Sequence, residues 1–126
     1  MLTFHATAVE VFSEDSILTI HFDDQADRYL QLQAPMADDP VEFEPGYGNV
    51  YVEVNDQLHS GFNCFSAAEL ARDRFRITFA RDPAMEKLGG VEVTFAVDDA
   101  AFAELRQALT VAFRAYPGYR PPPAGT

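Results

Sequence analysis

The sequence predicts an α+β domain in which an antiparallel meander sheet packs on one C-terminal helix. Three observations carry this. Branched and aromatic residues recur at every second position through most of the chain, turn-forming residues separate these runs, and a single late segment has the three-and-four spacing of an amphipathic helix. A length of 126 residues allows one domain. Residues 1–116 are expected to form it, and 117–126 to be a Pro/Gly-rich extended tail.

The elements follow in order. Leu2, Phe4, Ala6 and Ala8 run in phase, and the pattern then continues at Val9 and Val11. Such a slip flips the buried face, so a bulge is expected near Ala6–Val9. Leu18, Ile20 and Phe22 alternate with Ile17, Thr19 and His21; Leu30 and Leu32 alternate with Tyr29, Gln31 and Gln33. Turns are expected at Ser13–Ser16 and Asp23–Asp27. Residues 34–48 form the one long connection, rich in proline, glycine and acids. Val50, Val52 and Val54 then alternate with Tyr51, Glu53 and Asn55, and Asn55-Asp56-Gln57 is expected to tip a hairpin. Phe75, Ile77 and Phe79, and later Val91, Val93, Phe95 and Val97, give two more strands joined by a short turn at Pro83–Leu88. Asp98-Asp99 caps the helix, whose apolar face carries Phe102, Leu105, Leu109, Ala112 and Phe113. Pro117-Gly118 is expected to stop it, and the prolines beyond are expected to allow neither helix nor sheet.

Charge is unevenly divided. The chain has 20 acidic and 9 basic residues, a net of 9 − 20 = −11. Residues 1–63 hold 12 of the acids and one base, Arg28, so they carry the whole excess; residues 64–126 hold 8 of each sign. Phosphates require a basic stripe, so nucleic acid is excluded as a direct partner. No run of apolar residues is long enough for a membrane helix, no signal peptide is expected, and the single Cys64 forms no internal disulfide. A cytoplasmic protein is the expectation.

Catalytic chemistry is thinly represented. His5, His21 and His59 fall on separate strands or strand ends, without metal-ligand spacing; His21 and Asp23 share a strand face, a pairing common by chance in so acidic a chain. Cys64 lies in an apolar stretch that suits an inert thiol better than a dyad with His59. No nucleophile elbow, phosphate loop or dinucleotide fingerprint is present. The expectation is a non-enzyme with no metal and no cofactor.

Surface is what remains. Tyr51, Glu53 and Asn55 share a strand face beside the acidic loop, and an exposed tyrosine among acids makes an anchor for a protein partner. The candidate partner-binding residues are Asp38, Asp39, Glu42, Glu44, Tyr47, Tyr51, Glu53, Asn55, Asp56 and Gln57. Two alternatives use the same region. One is a small-molecule or catalytic site on the far sheet face, lined by His59, Cys64 and Tyr51. The other is a homodimer through the Tyr51 face, and a second small core behind a curled sheet would remove both.

The order of blocks resembles the immunity protein 10 family, small cytoplasmic proteins encoded beside bacterial polymorphic toxins. The resemblance runs through Phe4–Val11 (FHATAVEV), Asp27–Gln33 (DRYLQLQ), Val50–Ser60 (VYVEVNDQLHS), the arginine-rich strand at Arg72–Phe79, Leu88-Gly89 and the Phe102–Phe113 helix. It covers nearly the whole chain, and its most specific piece is Tyr51-Val52-Glu53 followed by Asn55-Asp56-Gln57. Where the family has a Gly-rich run after Ser60, this chain has Gly61 followed by Phe62-Asn63-Cys64-Phe65. The resemblance implies an α+β, non-enzymatic inhibitor that binds and blocks a cognate toxin. An acidic inhibitor suits a basic target such as a nuclease domain, because complementary fields speed association.

Overall fold

Alternation tells which face of a strand is buried, and here it buries the faces of two sheets against each other. The computed structural model describes residues 1–37 and 43–123. Among them the order is β1 (Leu2–Ala6), β2 (Ala8–Glu14), β3 (Ile17–Asp23), β4 (Tyr29–Pro35), β5 (Tyr51–Val54), β6 (Asp56–Phe62), β7 (Phe65–Ala71), β8 (Arg74–Phe79), α1 (Pro83–Leu88), β9 (Gly90–Phe95), α2 (Asp99–Ala112) and β10 (Tyr119–Arg120). The class is α+β. The strands divide into a first sheet, β1-β9-β8-β7-β10, and a second, β2-β3-β4-β5-β6.

The second sheet is an unbroken antiparallel meander. Its turns stand where Asp, Ser and Asn tolerate positive φ: Asp15 and Ser16 at 52° and 65°, and Asn55 at 62°. In the first sheet, β7, β8 and β9 continue as a meander, but β1 and β10 join its edges in parallel. The phase slip near Ala6–Val9 is therefore no bulge. Ala6 pairs with Phe95 in the first sheet and Ala8 with Asp23 in the second, so the chain changes sheets across Thr7. Successive strands then bury opposite phases because they face the core from opposite sides.

Phe22 of the second sheet stacks on Phe75 of the first at 5.6 Å between ring centroids and lies 6.0 Å from Phe95. Helix α2 packs along β2, β3 and β4, burying Phe102, Leu105, Ala108, Leu109 and Ala112. Asp98 caps it by accepting from the Ala101 N–H at 2.8 Å. The helix ends at Ala112, earlier than Pro117-Gly118 would require, and the adjoining Phe113 ring lies edge-on to Phe65 and stacked on Tyr119, at 5.3 and 5.2 Å. That stacking accompanies the pairing of Tyr119 and Arg120 with Ala68 and Glu69, where no sheet was expected. Proline follows immediately, so the edge strand is two residues long.

The expected turn at 83–88 is a short helix. Asp82 accepts from the Ala84 and Met85 N–H groups, Pro83 supplies the fixed φ of the first turn, and Met85 enters the core. Its exit into β9 requires glycine: a Cβ at Gly90 would lie 2.4 Å from the Ile77 carbonyl oxygen. Among the described residues no helix is long and apolar enough to cross a membrane.

Candidate functional site

Alternation on the second sheet leaves an outer face that nothing in the described chain covers. Its side chains come from all five strands. Phe12 and Glu14 project from β2, Ile17, Thr19 and His21 from β3, Tyr29, Gln31 and Gln33 from β4, Tyr51 and Glu53 from β5, and Ser60 and Phe62 from β6. Together with Asp15, Asn49 and Gln57, several of these line an open trough of about 650 Å³. Among the described residues no second core lies behind this sheet.

The floor is a hydrogen-bonded polar network. Glu53 receives hydroxyl hydrogens on both carboxylate oxygens, Tyr29 donating to Oε2 and Tyr51 to Oε1 at 2.6 Å. Tyr29 is raised well above the usual phenol value, by burial first and then by its bond to Glu53. Tyr51 is raised too, chiefly by donating to Glu53. In both, the carboxylate disfavours loss of the shared proton. Beside them His21 lies 3.0 Å from Gln31 Oε1 and 3.1 Å from Asp23 Oδ2, and stacks on Tyr29 at 5.3 Å. Gln33 donates to Thr19 Oγ1 at 3.1 Å.

The rim is apolar and exposed. Phe12 is 46%, Ile17 36% and Phe62 62% accessible, and Leu58 stands out at 85%. Acids interleave with them. Among the described residues no ion pair engages Glu14, Asp15 or Glu53, and no Lys or Arg lines the trough. Exposed apolar side chains gathered among polar groups make this face the candidate binding surface.

The residues singled out from sequence separate into four groups. Asp38, Asp39 and Glu42 lie outside the described residues. Tyr51, Glu53 and Gln57 line the trough. Asn55 and Asp56 build the β5–β6 turn: Asn55 Oδ1 accepts from the Tyr29 N–H at 2.9 Å, and Asp56 Oδ1 accepts from the Leu58 and His59 N–H groups. Glu44 and Tyr47 fasten the end of the long connection to the segment after β8. Arg81 donates to Glu44 Oε1 at 3.2 Å and to the Asn63 carbonyl at 3.1 Å, and its guanidinium lies 3.9 Å from the Tyr47 ring centroid. This bonding holds the Glu44 carboxyl below its ordinary value.

His59 and Cys64 do not join Tyr51 in a pocket. His59 bonds Asp56 at 3.1 Å, while Cys64 is buried and its thiol pushed up to about 11 by burial. Phe12, Ile17, Thr19, Gln31, Gln33 and Phe62 were not singled out from sequence. The signal was available: Phe12, Ile17 and Phe62 are apolar residues in the outward phase of their strands.

Residues 5–103 match the family model described as Immunity protein 10. No curated protein matches the chain. The match spans well over half of the sequence, and the chain belongs to the Immunity protein 10 family. Membership implies an immunity protein, a class that is generally non-catalytic.

Proposed function

We propose that this immunity protein binds a cognate bacterial toxin on the outer face of the second sheet and neutralises it by occupying the toxin's surface. The observation that carries the reading is a five-strand face left uncovered, with exposed Phe12, Ile17 and Phe62 set among acids that have no cationic partner within the described chain. Family membership supports the partner class. The charge supports a basic toxin, such as a nuclease domain, and the protein would act in the cytoplasm of the cell that makes both. Loop acids Asp38, Asp39 and Glu42 extend the negative charge of the same half of the chain. A second copy of this chain fits the face less well, since pairing two such faces brings acids onto acids.

The test begins with the gene adjoining this one, which this reading expects to encode the toxin. Its C-terminal domain should be tolerated by a host only when co-expressed with this protein. Reversing Glu14 and Asp15 to Lys should slow association by about tenfold or more at low salt and flatten its salt dependence. A second arm reverses Asp38, Asp39 and Glu42. Reversing Arg74 and Arg76 on the other sheet should leave the rate unchanged. Equal rates for the Glu14/Asp15 variant and the wild type would refute this face, and a dimer by light scattering that buries Phe62 would redirect it to self-association.

A further inference from the structure

We propose that Glu53 is the receptor for one arginine side chain of the toxin, a step that rests on the toxin-binding reading of this face. A carboxylate offers about four lone-pair positions. Tyr29 and Tyr51 fill one on each oxygen, and among the described residues no other donor is hydrogen-bonded to either. Two acceptors side by side match the planar fork of a guanidinium, which donates two parallel N–H bonds; a lysine ammonium uses only one of them well.

The receptor is set before the partner arrives. Tyr29 is held by stacking on His21, and Tyr51 by packing on Phe62 at 5.2 Å between centroids. Glu53 therefore surrenders little rotamer freedom when it takes a cation, which favours affinity over a free surface glutamate. No ion pair within the described residues competes for it. The surroundings fit the rest of the side chain. Gln31 and Gln33 line the same trough and make its wall polar, while Phe62 offers a ring to its apolar stem.

The experiment uses the full chain and the C-terminal domain of the adjoining toxin gene. Glu53→Gln keeps the shape and removes the charge, and should raise Kd by about 30-fold or more. Tyr29→Phe keeps the ring stacking and the charge but releases one oxygen. It should weaken binding several-fold while retaining the wild-type salt dependence, the signature of a positioning residue. An arginine-selective dicarbonyl reagent supplies a readout independent of affinity. One toxin arginine should be protected in the wild-type complex and reactive in the Glu53→Gln complex at saturating protein. Protection of no arginine in the wild-type complex, or of the same arginine in both complexes, overturns the proposal. If Glu53→Gln binds like wild type while Phe62→Ala does not, the trough stands and the arginine receptor falls. If neither variant changes binding, the docking face itself is wrong.

Discussion

The two sheets present outer faces built by the same alternation, yet their charges are arranged in opposite ways. On the first sheet Glu69, Arg76 and Glu92 stand opposite one another across three adjacent strands, so the signs alternate along the row. Arg74 and Arg120 reach Glu69 at 3.4 and 3.9 Å, and His5 bonds Thr94 at 2.9 Å. On that face opposite charges stand side by side. On the second sheet Glu14, Asp15 and Glu53 have no such partners among the described residues, and aromatic rings stand among them. Cross-strand charge pairing is thus the property that distinguishes the two faces.

The comparison supposes one folded unit with two exteriors, and the largest expected effect tests that supposition. Phe22 lies between the sheets against Phe75 and Phe95. Phe22→Ala should cost about 3–5 kcal/mol of stability through lost burial and the cavity left behind. Urea denaturation measures the loss, and amide exchange should report it in β3 and β8 alike. Protection lost only in the second sheet would make the layers separate units, and their exteriors would no longer be two faces of one molecule.

How much of this was legible in the sequence depends on the range of the interaction. Period two marks the inward residues of β3, β4 and β5 correctly, because local sterics and burial decide it, although Thr19 is buried in the outward phase. It carries no information on which sheet a strand joins. Ala6 and Ala8 belong to different sheets because β1 pairs with β9, about ninety residues later, and no local pattern encodes that contact. Tyr119 illustrates the same limit: a neighbouring-residue rule assigns it to a proline-rich tail, whereas its ring stacks on Phe113 and sits at the sheet edge. At the candidate site, Tyr51, Glu53 and Gln57 were visible as a block. The remaining trough residues come from β2, β3, β4, the far end of β6, the β2–β3 turn and Asn49 before β5, so only the folded sheet assembles them.

A smaller effect sharpens the distinction between building the face and using it. Asn55 holds φ at 62°, and its side chain accepts from the Tyr29 N–H. Asn55→Ala leaves the left-handed backbone in place but removes the amide that favours it and accepts that hydrogen bond, and should cost about 1–2 kcal/mol. Thermal melting should register the loss, while the Kd for the toxin domain, measured where the variant is fully folded, stays near wild type. Glu53→Gln should behave in the reverse way. If Asn55→Ala weakened binding as strongly as Glu53→Gln, the hairpin tip would be a contact and the division between turn and trough would fail.

The smallest effect concerns Glu44, an acid of the first half that is neutralised from within the chain. Its bonds to Arg81 lower its folded-state value below the ordinary value of 4.5. A depressed carboxylate stabilises the fold above its unfolded value, and that contribution is lost as pH falls through the folded value. Wild type should therefore melt slightly higher than Glu44→Gln at pH 6, with the gap closing toward pH 3. The gap should be small, because both side chains are more than a third exposed and solvent screens the pair. Toxin association should be nearly unchanged in Glu44→Gln, since its charge is already answered by Arg81. A rate as slow as that of Glu53→Gln would mean that internal pairing does not mark which acids are free for a partner. The contrast between the two outer faces would then lose its physical basis.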